Sequence, residues 1–294
     1  MIANLYLCSK TFIHNGSDTD NKVYKKIINL HDLLRFVRNK YKNENIFYIN
    51  KEELLSTQLF TDGSTVDDVF VHNKIINRDV FYLFMALWKW CSIDNSSLNE
   101  LVERLSIEDE ENCNGLVVFN LIDDLPVSYQ IISDINGWYR FRRYYLGKYP
   151  NNTSYFLTEC EKYFNNLVFH PDNNRSIKEV LISHSKKIII CLSALNDNLV
   201  EDLKVSNKSY TDYLREFAIN YKLDGASMEG KKDKKFIYNF TGDNGENFSA
   251  YCESHLKMFK NDRDEDGHCR VYFRKPDVEN EDSLIYIGYI GTHL

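Results

Sequence analysis

The sequence is poor in proline and contains no closely paired cysteines. It has 4 Pro in 294 residues, which excludes collagen-like, Pro-rich and linker-dominated architectures. Its 7 Cys include no CxxC pair, and their number is odd. Since most of them stand beside apolar residues, buried reduced thiols explain this usage better than a disulfide framework does. We therefore expect a cytoplasmic protein.

Long apolar runs and an excess of positive charge are also missing. The longest near-apolar stretch, residues 80–91, contains Lys89 and is shorter than the roughly 20 residues that a membrane helix needs. With 36 Lys and Arg against 43 Asp and Glu, the net charge is −7. This balance disfavours a protein that coats nucleic acid through its overall charge, but it is compatible with a local basic site. We expect no membrane partner.

Several well-known catalytic motifs are absent from the sequence. It contains no GxxxxGK[ST], no GxGxxG after a strand, no HExxH and no GxSxG, and no His or Cys cluster has zinc spacing. These absences disfavour ATPases, dehydrogenases with nucleotide cofactors, zinc proteases and serine hydrolases. We therefore expect no cofactor and no metal.

The N-terminal part shows mainly helical periodicity with a few short apolar runs. Three such runs, at 1–9, 45–50 and 115–122, predict strands. Helical spacing of apolar residues predicts helices over 27–41, 77–93, 127–146, 155–169, 177–203 (with an interruption near Asn196) and 209–221. The spacing of Ser97 and Glu100 also predicts a capping box at the start of a helix.

After Gly225 the chain changes to short β-prone runs separated by Gly, Asn and Asp, which is typical of an antiparallel sheet. The sequence therefore predicts an α+β protein with two domains. Residues 1–175 form a mainly helical regulatory or scaffold domain, and residues 176–294 form a smaller unit of helices followed by an antiparallel sheet.

The last three predicted strands carry most of the candidate catalytic side chains. Because alternate residues of a strand point to one face, Arg270, Tyr272 and Arg274 share a face. In the final strand, the same alternation places Tyr286 and Gly288 on one face, opposite Tyr289. The other candidates on these segments are Glu253, His255, Lys257 and His293.

These residue types suit RNA cleavage without a metal. Glu253 or His255 would deprotonate the 2′-hydroxyl, and Arg270 and Lys257 would stabilise the phosphorane. His293 would protonate the 5′-leaving oxygen. The alternative is structural: Arg270 and Arg274 line the polar face of a sheet and pair with acidic neighbours, while His293 is a surface residue.

The same residues carry a resemblance to a known family. The segments Glu253–Lys257, Arg270-Val-Tyr272 and Ile285–His293 resemble the C-terminal half of the RelE/ParE toxin superfamily, particularly its mRNA-cleaving branch. The resemblance is confined to roughly the last 45 residues. It implies a RelE-like fold, with a general base, a phosphate-binding arginine and a terminal acid among Glu253, Lys257, Arg270 and His293. It also implies RNA as a partner, including ribosome-associated mRNA, and a protein regulator or antitoxin.

Two further segments are candidates for RNA binding. Residues 138–149 interleave basic side chains with aromatic ones and contain no acid, a pattern that suits single-stranded RNA. The alternative there is an amphipathic helix whose aromatic residues pack inward while the arginines extend outward. The second segment, residues 231–235, is either a phosphate-contacting arm or a solvated loop. The candidate RNA-binding residues are Arg140, Arg142, Arg143, Lys148, Lys232, Lys235 and Arg274.

The sequence therefore favours a metal-independent endoribonuclease that acts as a toxin or antiviral defence effector and carries an N-terminal regulatory domain. The alternative is a non-catalytic module that binds protein or nucleic acid in a bacterial or phage stress or defence system. A third hypothesis is an enzyme of unrelated chemistry with its site in the N-terminal part.

Overall fold

The computed structural model of the protein describes residues 1–70, 78–107, 109, 112–126, 128–230, 233–242, 245–259, 269–278 and 284–294. The chain forms two compact units, Met1–Arg142 and Arg143–Leu294, which we call the N-terminal unit and the C-terminal unit. Each contains helices and a sheet, in agreement with the predicted α+β class. No described helix is both long and apolar enough to cross a membrane.

The N-terminal unit is built on a five-stranded sheet in the order β3-β2-β1-β4-β5, in which all neighbouring strands are parallel. The strands are β1 (Ile2–Leu7), β2 (Asn45–Ile49), β3 (Ser92–Ile93), β4 (Asn112–Val117) and β5 (Ile131–Ile132). The predicted strands at 1–9 and 45–50 are thus confirmed, whereas the strand predicted over 115–122 lies earlier, at Asn112–Val117. Their parallel pairing is a finding that the sequence analysis did not predict.

Helices connect these strands, and a sixth helix follows the last of them. They are α1 (Asp20–Lys40), α2 (Lys51–Ser56), α3 (Val66–Phe70), α4 (Arg78–Trp90), α5 (Leu98–Ser106) and α6 (Ile135–Lys148). The predicted capping box is confirmed, since Ser97 and Glu100 each bond the other's backbone N–H at the start of α5. Residues 127–146 are not one helix, because β5 precedes α6 within them.

The C-terminal unit begins with helices. They are α7 (Thr153–Tyr163), α8 (Asn173–Ser176), α9 (Leu181–Ala194), α10 (Val200–Val205) and α11 (Tyr210–Asn220). The predicted long helix over 177–203 is confirmed, and its predicted interruption near Asn196 is a π-helical segment, Leu195–Leu199, between α9 and α10. The predicted helix over 155–169 is too long, because Leu167–Phe169 is a strand, β6.

A second five-stranded sheet, in the order β6-β12-β11-β10-β7, forms the rest of this unit together with a hairpin. The strands after β6 are β7 (Ala226–Met228), β8 (Ile237–Thr241), β9 (Asn247–Tyr251), β10 (Ser254–Met258), β11 (Cys269–Phe273) and β12 (Ile285–Thr292). The sheet is antiparallel as predicted, except that β6 runs parallel to β12. The hairpin consists of β8 and β9.

The pairing of β6 with β12 explains where the two units divide. The predicted boundary lies after residue 175, but the compact units divide after Arg142, within α6. Because β6 pairs with β12 in the C-terminal sheet, the segment from Arg143 to residue 175 belongs with the C-terminal unit. This pairing joins residues more than a hundred positions apart, which local periodicity does not reveal.

A β-bulge reverses the predicted orientation of one tyrosine. Tyr272 of β11 lies opposite Tyr289 of β12, whereas the next residue, Phe273, lies opposite Ile287. The extra residue in β12 shifts the alternation. Tyr289 therefore lies on the same face as Tyr286, and both pack against the hairpin cluster of Tyr238, Phe240, Ala250 and Cys252. The prediction that Tyr289 faces the opposite side was wrong for this reason.

Gly288 lies where the hairpin approaches the sheet. A Cβ atom at this position would lie 2.5 Å from Cδ2 of Tyr238 and 2.9 Å from Cβ of Cys252. The absence of a side chain thus permits the close packing of the hairpin on this face of the sheet. The other face is covered by helices; Tyr210 of α11, for example, donates a hydrogen bond to Ser254 of β10.

We predict that Gly288→Ala destabilises the protein by about 1–3 kcal/mol, because the added methyl group overpacks the hairpin contact. The measurement is the urea midpoint of unfolding. Gly137→Ala is the matched control: its Cβ would lie at ordinary contact distances of 3.5 Å or more, and alanine favours the helix. Equal stability of Gly288→Ala and the wild type would contradict the packing described for the hairpin.

Candidate functional site

Polar side chains from four strands meet on the hairpin-bearing face of the C-terminal sheet. Glu229 directly follows β7, and His293 directly follows β12. Between them, His255 of β10 lies opposite Ser227 of β7 on one side and opposite Tyr272 of β11 on the other. Cross-strand partners share a face of the sheet, so the register itself assembles these side chains. We call Ser227, Glu229, His255, Tyr272 and His293 the Glu229 cluster.

The carboxylate of Glu229 is the centre of this cluster. Its Oε1 atom accepts a hydrogen bond from the Tyr272 hydroxyl at 3.0 Å. The same oxygen lies 3.4 Å from Nδ1 of His255 and 3.6 Å from Nε2 of His293. The Glu229 side chain is 23% exposed and that of His293 is 49% exposed, so this pair of groups is accessible to a ligand.

His255 is a buried neutral ring that supports Glu229. It is only 3% exposed, and burial, together with the nearby Arg270 cation, lowers its pKa to about 4. Its Nδ1 faces the Glu253 carbonyl oxygen at 3.3 Å as well as Glu229. The ring therefore carries its proton on Nδ1, and the Ser227 hydroxyl donates to Nε2 at 2.8 Å. This environment makes His255 a positioning residue and corrects its predicted role as the general base.

Tyr272 is a second buried support for the same carboxylate. Its side chain is fully buried, and burial, followed by the negative charge of Glu229, raises its pKa well above the ordinary value. The hydroxyl therefore remains a hydrogen-bond donor at neutral pH. Its ring also contacts the His255 ring, with the two centres 4.9 Å apart, which fixes both groups.

Two cations lie next to the cluster on the same face. Arg270 of β11 is directly opposite Lys257 of β10, two residues along each strand from the His255–Tyr272 pair. Arg270 is 8% exposed and Lys257 is half-buried. The structure thus brings together three of the predicted catalytic residues, His255, Arg270 and His293, with Lys257 adjacent to them.

Glu253 and Lys235 lie at the border of this site. The Glu253 carboxylate accepts a hydrogen bond from the backbone N–H of Gly230 at 3.3 Å. Glu253 therefore holds the turn that follows Glu229, which differs from the general-base role predicted for it. The amino group of Lys235 is exposed and donates to the carbonyl oxygen of Leu294 at 3.3 Å, one residue after His293.

The structure contradicts the RNA-binding role predicted for two arginines of α6. Arg142 is buried and donates to the Met1 carbonyl oxygen at 3.2 Å and to the Glu44 carboxylate at 3.5 Å. The neighbouring Arg143 is also buried, and its guanidinium lies 2.7 Å from the Asp197 carboxylate. These arginines neutralise acids inside their own units and are not available to phosphates.

The aromatic residues between the basic side chains of α6 belong to the core. Trp138, Phe141 and Tyr145 are each at most 1% exposed, so the amphipathic-helix interpretation is correct for them. In the same helix, Arg140 is exposed and Lys148 half-buried. This helix therefore offers RNA no continuous surface of basic and aromatic side chains.

The remaining predicted RNA-binding residues lie away from the Glu229 cluster or outside the described chain. The Arg274 guanidinium lies 5.8 Å from the centre of the Tyr286 ring, beside the hairpin cluster. Arg274 follows Arg270 by four positions, which corresponds to roughly 13 Å along a strand. Lys232 lies outside the described residues.

Ser227 and Glu229 were not among the predicted site residues. They lie just before the basic segment 231–235, and β7 has only 3 residues, too few for a visible alternation. None of the residues Ala-Ser-Met in this strand is β-branched or aromatic, so strand propensity offered no signal either. Among the residues that the structure describes, no group of three or more His, Cys, Asp or Glu side chains is arranged to hold a metal ion.

We predict that His255→Gln reduces the acid sensitivity of the fold. The His255 pKa is about 4 in the folded state and about 6.5 in the unfolded chain. Between these two pH values the imidazole is therefore protonated in the unfolded chain but neutral in the folded protein. The wild type therefore loses stability as pH falls through this window, by roughly 1–2 kcal/mol at about pH 5. Urea midpoints at about pH 7 and pH 5 measure this loss.

Ser227→Ala, which keeps the imidazole, is the control and should retain the acid sensitivity of the wild type. An equal loss of stability in wild type and His255→Gln would contradict the buried neutral state of His255.

Comparison with known proteins gives distant similarity alone. No protein-family model matches the chain, and no solved structure matches it. Two curated proteins called "Non-toxic nonhemagglutinin type A", one from Clostridium botulinum (strain Kyoto / Type A2) and one from Clostridium botulinum, are each 26% identical to it over 215 residues. The matches cover 68% of this chain, which spans about 17% of the length of these relatives.

Proposed function

We propose that the C-terminal unit is a metal-independent endoribonuclease. The observation that supports this most strongly is the approach of Glu229 to His293, at 3.6 Å, on the sheet face that also carries Arg270. A carboxylate, an imidazole and a guanidinium in one place supply a base, an acid and a phosphate-binding cation.

In the proposed reaction, Glu229 takes the proton from the 2′-hydroxyl of the substrate. The 2′-oxygen then forms a bond to phosphorus, and the bond from phosphorus to the 5′-oxygen breaks. The protonated imidazole of His293 gives its proton to that departing oxygen. The products are a 2′,3′-cyclic phosphate and a 5′-hydroxyl, so atoms and electrons balance without an oxidant or a metal.

The buried neighbours of Glu229 make it suitable as the base. Tyr272 donates to Oε1, and the His255 ring lies beside the same atom, which fixes the carboxylate while Oε2 accepts the proton. In this role the two residues act through Glu229 and do not touch the substrate. Such fixed donors need no reorganisation during the reaction.

The cations Arg270 and Lys257 supply the charge that the phosphorane needs. They occupy directly paired positions on neighbouring strands, so both can approach one phosphate. Arg270 is largely shielded from water, and an ionic contact is stronger in such a site than in bulk solvent. A guanidinium can also bind two phosphate oxygens at once.

We predict that the full-length protein cleaves single-stranded RNA in the presence of EDTA, and that Glu229→Gln, Arg270→Gln and His293→Gln each slow cleavage by about 10²–10⁴-fold. The measurement is the single-turnover rate on an end-labelled oligoribonucleotide. Arg215→Gln is the control in the same unit, because this arginine is exposed on α11 and pairs with Asp212; it should cleave at the wild-type rate.

Cleavage that the three site substitutions leave unchanged would overturn the proposed site. If the wild type binds RNA without cleaving it, the catalytic proposal fails and the non-catalytic binding module takes its place. For the proposed role as a toxin or defence effector, expression of the wild type should arrest growth and expression of His293→Gln should not.

A further inference from the structure

We propose that Tyr289 is a stacking platform for a nucleobase of single-stranded RNA, next to the phosphate held by Arg270. This inference rests on the proposed function, since it concerns the substrate of the same site. It assigns a substrate-contacting role to a residue that neither the sequence motifs nor the catalytic step accounts for.

The first support is the orientation of Tyr289. The β-bulge between β11 and β12 turns this side chain onto the face of the Glu229 cluster instead of into the helix-covered core. There Tyr289 lies opposite Tyr272, with their ring centres 6.0 Å apart and nearly edge to face. Tyr272 in turn donates to Glu229, so the platform directly borders the proposed base.

The second support is Gly291, which lets the Tyr289 ring lie against the strand. A Cβ atom at Gly291 would lie 2.7 Å from the Tyr289 hydroxyl oxygen and 2.8–2.9 Å from Cζ and Cε1. The tyrosine ring thus occupies the space that a side chain at position 291 would fill. One flank of the ring is held by the strand, and the residue as a whole remains half-buried, so part of it reaches solvent.

The third support is the register with Arg270. Gly291 is the cross-strand partner of Arg270, and adjacent strands are about 4.8 Å apart. The Tyr289 hydroxyl therefore lies one strand away from the backbone of the proposed phosphate-binding residue. A cation beside an aromatic ring matches the alternation of phosphate and base in a nucleic-acid strand.

This geometry favours single-stranded RNA over a duplex. A base can stack on a protein ring only when its own neighbour in the strand is unstacked, as in loops and single strands. Every nucleobase offers a flat face, so the platform contributes affinity with little dependence on sequence.

The test uses the full-length protein and two oligonucleotides of one sequence, one RNA and one with a 2′-O-methyl group at every position. The second lacks the attacking hydroxyl and reports binding alone. We expect Tyr289→Leu to bind the 2′-O-methyl strand about tenfold more weakly than the wild type. On RNA it should raise KM by a similar factor while kcat changes little. Tyr289→Phe should behave as the wild type, because stacking needs the ring and not the hydroxyl.

Two further variants separate a substrate contact from a loss of structure. Gly291→Ala displaces the ring without removing it and should weaken binding in the same direction as Tyr289→Leu. Tyr286→Leu removes a half-buried tyrosine from the same face of β12, beside the hairpin, and should leave KM unchanged. Thermal unfolding of each variant verifies that the fold is intact.

The outcomes distinguish the inference from the function on which it rests. If the wild type cleaves RNA and Tyr289→Leu retains the wild-type KM and 2′-O-methyl affinity, the stacking inference is overturned and the endoribonuclease stands. If the wild type binds the 2′-O-methyl strand in a Tyr289-dependent way but leaves RNA intact, the stacking inference stands and the endoribonuclease fails. Equal binding to a duplex of the same sequence would contradict the single-strand preference.

Discussion

The constraint on which the proposed site depends is that the Glu229 side chain is three-quarters buried, so its carboxyl group must have a hydrogen-bond donor close to it. An unpaired carboxylate in such a place would be strongly destabilising. The sheet meets this requirement with the Tyr272 hydroxyl, which donates to Oε1, while the His255 ring packs beside the same oxygen atom. Tyr272 belongs to β11 and His255 to β10, so Glu229 has both neighbours only when β7, β10 and β11 are paired in register.

Burial also determines the state of a neighbouring group. His255 is held neutral by burial and by Arg270, and the proposed reaction therefore assigns the proton transfers to Glu229 and His293 at the edge of the sheet. The hairpin covers one part of this face, where its Tyr238 packs against Gly288 of β12, while the side chains of Glu229 and His293 remain partly open to solvent. On this one face, the buried residues His255 and Tyr272 thus support the site, while Glu229 and His293 remain accessible.

The sequence predicted the elements of this protein better than their association. The alternation in β11 correctly grouped Arg270 with Tyr272, and the capping box at Ser97 was confirmed because its residues are neighbours in the chain. Features that depend on distant pairing were missed: the parallel N-terminal sheet, the membership of β6 in the C-terminal sheet, and Glu229 after a strand of 3 residues. The interior roles of Arg142 and Arg143 were missed too, since their partners Glu44 and Asp197 are remote in sequence. A single extra residue at the bulge was enough to reverse the predicted face of Tyr289.

The chemistry at the ends of the RNA products tests the central claim most directly. Attack by the substrate's own 2′-hydroxyl, with Glu229 and His293 moving the protons, must leave a 2′,3′-cyclic phosphate on one fragment and a 5′-hydroxyl on the other. Mass spectrometry of the fragments produced by the full-length protein distinguishes these ends. We expect the cyclic phosphate as the first product. A 3′-hydroxyl paired with a 5′-phosphate would show that water attacks the phosphorus, and it would contradict the role assigned to the Glu229 cluster.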